Sequence, residues 1–129
     1  MNTLNPAIVL IENDNVTLEL YQRELCKSFN VFAFTKVEGV LEVMENQDIR
    51  AVVIEPEINS GNGWELIHSI FMAYPDRAIP IIVCSTCDTR PLNHPGEVTK
   101  YLTKPVLPKT LREKTLEVVG KVSILRKTP

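Results

Sequence analysis

Five short apolar runs alternate along the chain with segments of helical periodicity, and this alternation limits the possible folds. The runs cover residues 7–11, 31–34, 51–54, 79–84 and 101–103. The first, third and fourth runs are apolar almost throughout, which is typical of strands buried on both faces of a sheet. Strand–helix alternation with short connections requires parallel strands and right-handed crossovers. We therefore predict an α/β fold with helices on both faces of a parallel sheet.

Between the runs, apolar residues recur at the spacing of a helix face, and we predict that all of them belong to the core. Asn15 is the predicted N-cap of the first helix. The predicted core stripes are Leu18, Tyr21, Leu25 and Phe29; Val37, Val40, Leu41 and Met44; Leu66, Ile67, Ile70, Phe71 and Tyr74; and Leu111, Thr115, Val118 and Val122.

The segment between the fourth and fifth runs departs from this pattern. Pro91, Pro95 and Gly96 are incompatible with a full amphipathic helix. We predict that the fourth helix is shortened or missing, with less than two turns of helix over residues 88–98. The same spacing predicts that this segment is the most mobile part of its face.

The length and charge of the chain exclude several classes of protein. The 129 residues suffice for one domain, 1–129, with a core of about residues 6–122 and a short flexible C-terminal tail. A net charge of −2 gives no basic field for nucleic acid. No apolar run approaches the roughly 20 residues of a membrane span, and residues 1–6 do not resemble a signal peptide. We predict a cytoplasmic protein, monomeric or weakly dimeric, that binds neither nucleic acid nor membranes.

The three cysteines fit a reducing compartment, because their number is odd and their spacing forms no disulfide framework. Cys84 and Cys87 form a C-x-x-C pattern, but Cys84 belongs to the fourth apolar run and should point into the sheet packing. A redox or zinc role, with His94 as the nearby third ligand, is therefore the less favoured interpretation.

Polar residues follow four of the predicted strands at their carboxyl ends, where open parallel sheets place their sites. Glu12 and Asn13 follow the first strand, Glu55 the third, Ser85 the fourth and Lys104 the fifth. Each alone would be an ordinary surface residue. Together they predict one pocket at this edge of the sheet.

With these residues the chain resembles the receiver domains of two-component response regulators over nearly its whole length. Residues 52–66 look like the family's third-strand segment, with Gly63 on its glycine, and residues 101–106 look like its fifth-strand segment. Tyr101 falls on the family's aromatic switch position. The resemblance implies a flavodoxin-like (βα)₅ doubly wound sheet in strand order 2-1-3-4-5. It also implies a cis bond between Lys104 and Pro105.

The resemblance assigns roles to the pocket, and the sequence departs from two of them. Glu55 stands at the phosphoacceptor position, where the family has Asp. Glu12 and Asn13 stand at the Mg²⁺-binding acidic pair, so one formal charge is lost. Glu57 adds to this acidic pocket. The resemblance makes Ser85 and Lys104 the pocket partners of a phosphoryl group.

We therefore expect a pseudo-receiver that acts through protein contacts without phosphorylation, with a partner such as a histidine kinase or an output domain. We expect no catalytic residue and only a vestigial Mg²⁺ site at Glu12, Asn13 and Glu55. Mg²⁺ would be a cofactor only if the site still functions. Lys104 should lie within hydrogen-bond reach of Glu55. Glu55 either imitates the phosphorylated state, meeting Lys104 and Ser85, or forms a local ion pair in a decayed site.

Two alternatives remain at this stage. One is a functional receiver that a histidine kinase phosphorylates. The other is a metal-dependent phosphoryl-transfer or hydrolytic enzyme that uses Glu12, Glu55 and Glu57. The enzyme would need a base, and His68 and His94 are the only histidines. His68 is predicted to face solvent from the middle of a helix.

Overall fold

The computed structural model describes residues 5–58, 62–75, 79–86 and 98–127, with side chains described up to residue 120. Five parallel strands form one sheet in the order β2-β1-β3-β4-β5. This confirms the predicted flavodoxin-like strand order. The strands are β1 (Ala7–Ile11), β2 (Asn30–Phe34), β3 (Ile49–Ile54), β4 (Ile81–Ser85) and β5 (Lys100–Thr103).

Helices cover both faces of the sheet, as predicted. They are α1 (Asn15–Leu25), α2 (Val40–Asn46), α3 (Asn62–Ala73) and α4 (Pro108–Lys127). α1 and α4 contribute to the core on one face, whereas α2 and α3 contribute to the core on the other. The sheet is therefore doubly wound.

Successive residues of the central strand β1 enter opposite cores. Ile8 and Leu10 pack on the α1–α4 side, and Val9 and Ile11 pack on the α2–α3 side. All four are fully buried. This two-sided burial explains why the run is apolar at every position, since parallel strands covered on both faces have no solvent side.

The predicted N-cap of α1 was wrong by one residue. Asp14, in extended conformation, accepts a hydrogen bond from the backbone N–H of Thr17 at 3.0 Å, and Asn15 is the first helical residue. Asp and Asn are about equally good N-caps, so adjacent candidates cannot be separated by residue type alone.

Two predicted core residues are exposed. Leu41 is 37% and Phe71 49% exposed, although their neighbours Val40 and Ile70 are buried. Adjacent residues of a helix lie about 100° apart around its axis, so a narrow buried face accommodates only one of each pair. The predicted apolar stripes of α2 and α3 were too wide.

Several other predictions concern residues that lie wholly or partly outside the described ranges. Most of the segment predicted to lack a full helix lies outside them, and no helix is present between β4 and β5 in the part that is described. The backbone of α4 stays helical to Lys127, beyond the predicted end of the core at residue 122. The flexible tail stays a prediction. Among the described helices, none combines the length and apolarity needed to cross a membrane.

Candidate functional site

Three charged side chains converge at the carboxyl edge of the sheet. Glu12 follows β1, Glu55 follows β3 and Lys104 follows β5. Glu12 and Glu55 are only 2% and 7% exposed. Each of the three residues donates its backbone N–H to a carbonyl of the neighbouring strand, at 3.0, 3.0 and 2.8 Å respectively. The pairing of the sheet thus continues one residue past these strands and fixes where the side chains begin.

The ammonium of Lys104 bridges the two carboxylates. It donates a hydrogen bond to Glu12 Oε1 and lies 3.3 Å from Glu55 Oε1. The predicted contact with Glu55 is confirmed, and so is the predicted cis bond between Lys104 and Pro105. The sequence interpretation missed Glu12 as the closer partner. The predicted strand order contained the signal, because it places the ends of the first and third strands side by side.

The second oxygen of each carboxylate is held by the backbone. Glu12 Oε2 accepts the N–H of Asp14 at 3.1 Å, and Glu55 Oε2 accepts the N–H of Glu57 at 3.2 Å. The same arrangement therefore follows both strands: one oxygen on the shared lysine and one on the N–H two residues later. Within the described residues, no buried side-chain nitrogen or oxygen lacks a hydrogen-bond partner.

The pocket keeps Lys104 protonated. Burial by itself would lower the pKa of Lys104, but the hydrogen bond to Glu12 and the charges of Glu12 and Glu55 outweigh it, so the pKa is raised. A buried ammonium with opposite charges within about 4 Å is strongly favoured over the neutral amine. Lys104 is therefore a permanent cation at neutral pH.

Tyr21 of α1 supports the segment that follows Lys104. Its hydroxyl donates to the carbonyl of Val106 at 3.0 Å and lies 3.8 Å from the sulfur of Cys84. Burial raises the pKa of both the Tyr21 phenol and the Cys84 thiol. Cys84 points into the core, as predicted. Cys87 lies outside the described residues, so the C-x-x-C pattern is untested.

The remaining predicted pocket residues are divided between the pocket and its rim. Ser85 is buried at the end of β4, whereas the side chains of Asn13 and Glu57 are exposed. Glu57 faces Trp64, whose indole nitrogen lies 3.5 Å from its carboxylate. Tyr101 is half-buried and packs against the α2–α3 core. Of this set, the structure places only Ser85 inside the protein beside the three charged residues.

The two histidines that the enzyme hypothesis would need are described only in part. His68 is exposed on α3, as predicted. His94 lies outside the described residues. The enzyme hypothesis therefore gains no support from the described site.

The residues present do not fit a Mg²⁺ ion. Mg²⁺ requires near-octahedral oxygen ligands at about 2.0–2.1 Å. Here an ammonium bridges Glu12 and Glu55, and Asn13 is exposed. Over the described ranges, no three His, Cys, Asp or Glu side chains form a group that could hold a metal ion.

A groove of about 400 Å³ borders Lys104 between α1 and the segment before α4. Its lining is mainly apolar, and it includes Tyr21 of α1 and Lys104 of the charged pocket. Exposed Leu20 lines it, and exposed Val16 and Leu107 lie nearby in sequence. The lining residues are Thr17, Leu20, Tyr21, Thr86, Lys104, Pro105, Val106 and Pro108.

The chain superposes on several solved structures of receiver domains. The chain superposes on a CheY-like response regulator receiver domain protein of Methanospirillum hungatei with a TM-score of 0.79 and 18% identity, covering 94% of this chain and 98% of that one. A signal receiver domain of a putative Luxo repressor protein of Vibrio parahaemolyticus gives 0.80 and 13% identity, covering 95% and 96%. No protein-family model and no curated protein matches the sequence. At these identities, the likeness establishes the fold.

Proposed function

We propose that this chain is a receiver-type signalling module of the two-component kind that acts through protein contacts and does not use phosphorylation. The observation that carries the proposal is the bridge from Lys104 to Glu12 and Glu55. The bridge pairs these three side chains with one another, whereas a phosphorylated receiver pocket would need them available for the metal ion and the phosphoryl group. The fold alone would not suffice, because one fold supports many functions.

Glu55 is poorly suited to accept a phosphoryl group. Its extra methylene carries the carboxylate about 1.5 Å further than an Asp would. Both of its oxygens already accept protein hydrogen bonds, from Lys104 and from the N–H of Glu57. A displacement of about 1 Å can cost a nucleophile roughly a hundredfold in rate. Because Asn13 carries no charge, the site should also bind more weakly any metal ion that would assist the transfer.

Two versions of the proposal differ in what Glu55 does. In the first, the carboxylate on Lys104 holds the domain in a state like that of a phosphorylated receiver, with one negative charge in place of about two. In the second, the ion pair is only structural. Replacement of Glu55 by Gln separates them, since it should change partner binding in the first version and leave it unchanged in the second.

The partner is proposed to be a protein, such as a histidine kinase or an output domain. The apolar groove beside Lys104, with exposed Leu20 on its wall, supports a protein-contact role. A cytoplasmic location and a monomeric or weakly dimeric state belong to the same proposal. A functional, phosphorylated receiver is the second candidate, because the strand order and overall fold match those of the receiver domains on which the chain superposes.

Beryllofluoride, a phosphoryl analogue, tests the proposal. Backbone amide NMR spectra of the wild type should not change when beryllofluoride and Mg²⁺ are added together. The double variant Asn13→Asp/Glu55→Asp restores the acidic pair and the shorter nucleophile, and its pocket resonances should shift. Saturable shifts in the wild type around Glu55 and Lys104 would favour the functional receiver instead.

A further inference from the structure

We infer that Lys104 is the resident cation of the acidic pocket: its ammonium takes the place between Glu12 and Glu55 that a divalent metal would need, and it closes the pocket to metal ions. The inference rests on the proposed function, because it explains how the site works without metal-assisted phosphorylation. It adds a specific role for Glu12, which binds Lys104 and so positions its ammonium over Glu55.

The hydrogen bonds of the two carboxylates carry the inference. Each has one oxygen on the Lys104 ammonium and the other on a backbone N–H two residues downstream. A divalent ion between Glu12 and Glu55 would have to displace the ammonium from both. Both N–H groups belong to the backbone that directly follows β1 and β3, so each carboxylate is held on a second side.

The ammonium cannot easily leave. The side chain of Lys104 is only 14% exposed, and its backbone N–H is bonded to the carbonyl of Ser85 at 2.8 Å. Its departure would leave two buried carboxylates facing each other without a counter-ion, which is strongly unfavourable. A metal ion would therefore have to compensate for this loss while lacking a third acidic ligand, because Asn13 is neutral and exposed.

Replacement of Lys104 by Met tests the inference, because Met keeps the length of the side chain and removes the charge. Calorimetric titration with Mg²⁺ alone should show binding at least about tenfold tighter in Lys104→Met than in the wild type. The exposed Lys109 on α4 is the matched control, and Lys109→Met should bind Mg²⁺ as the wild type does. Equal Mg²⁺ affinity in Lys104→Met and wild type would overturn the inference.

Second substitutions identify the ligands of the unmasked site. In Lys104→Met/Glu12→Gln and in Lys104→Met/Glu55→Gln, the gain in Mg²⁺ affinity should be lost. Retention of the full gain in both double variants would place the ion elsewhere and contradict the assignment.

The wild type provides a test that does not depend on a variant that folds. NMR of the side-chain ammonium of Lys104 should give a resonance protected from exchange, and an excess of Mg²⁺ should leave it unchanged. Its disappearance during the titration would show that the metal displaces the lysine. Acetyl phosphate treatment of the same protein separates the two claims. Mg²⁺ binding without a phosphoryl gain overturns only the resident-cation inference, and a phosphoryl gain without Mg²⁺ binding overturns only the proposed function.

Discussion

The extra methylene of Glu55 relative to Asp explains much of the pocket. It lets one carboxylate oxygen reach Lys104 while the other accepts the N–H of Glu57. Glu12 uses its own length in the same way, toward Lys104 and Asp14. Two residues of the same type thus form one closed network around a single cation.

The ionisable side chains of Lys104 and Tyr21 should make the folded protein less stable at high pH. The pKa values of Lys104 and Tyr21 are both raised in the folded protein. A raised pKa gives stability that is fully present below the unfolded value, about 10 for both groups, and is lost as the pH rises toward the folded values. The urea midpoint should therefore fall as the pH increases past about 10. Tyr21→Phe should reduce this slope, and a wild-type midpoint that stays constant to pH 11.5 or so would contradict the account.

Gly63 should tolerate no side chain. A Cβ there would lie 2.5 Å from the Cα of Pro56 and 2.6 Å from its carbonyl oxygen, and this backbone has little room to move. We expect Gly63→Ala to lower the free energy of unfolding by about 1–3 kcal/mol. Gly120 on α4 is the control, because a Cβ there meets nothing within 4 Å. Gly120→Ala should be neutral or stabilise by about 0.5–1 kcal/mol, and equal urea-unfolding losses for both variants would refute the steric argument.

At the level of elements, the start of α1 depends on Asp14. Its carboxylate accepts the backbone N–H of Thr17 and also its hydroxyl. We expect Asp14→Ala to cost about 1 kcal/mol of stability, and Asn15→Ala, at the first helical position, to be nearly neutral. Thermal unfolding of the two variants measures this directly. The reverse order of effects would restore Asn15 as the cap.

The helices and strands were more predictable from the sequence than the residues that each helix buries. Strands β1, β3 and β4 could be recognised because burial on both faces makes nearly all of their positions apolar. The exposure of Leu41 and Phe71 could not, since it depends on how each helix is rotated over the sheet. Helix rotation is set by packing between distant elements, which local periodicity does not record.

The three charged residues of the pocket were predictable from the sequence, but the hydrogen bonds between them were not. Strand order brings Glu12, Glu55 and Lys104 together, so their proximity follows from topology. The preference of Lys104 for Glu12 depends on side-chain reach and on which oxygens the backbone already occupies. Such competition for hydrogen bonds is decided only in three dimensions.

At the scale of the whole molecule, polar contacts join α1 and the residues that follow it to α4 and to the segment before α4. Arg112 of α4 binds Glu24 at 2.8 Å and the hydroxyl of Ser28 at 3.2 Å, while Tyr21 binds the segment before α4. A double-mutant cycle on Arg112 and Glu24 should give a coupling of about 1 kcal/mol, above that of the exposed pair Arg23–Glu19, at about 0.3 kcal/mol. Equal couplings would show that the Arg112–Glu24 pair contributes no more than an exposed ion pair.

The central claim is that this pocket is satisfied by its own lysine and is not phosphorylated. Intact-protein mass spectrometry after treatment with acetyl phosphate and Mg²⁺ tests it most directly. The account predicts no mass gain for the wild type and a gain of one phosphoryl group for Asn13→Asp/Glu55→Asp. A gain of one phosphoryl group on the wild type that disappears in Glu55→Gln would contradict it, because Glu55 would then be a working phosphoacceptor.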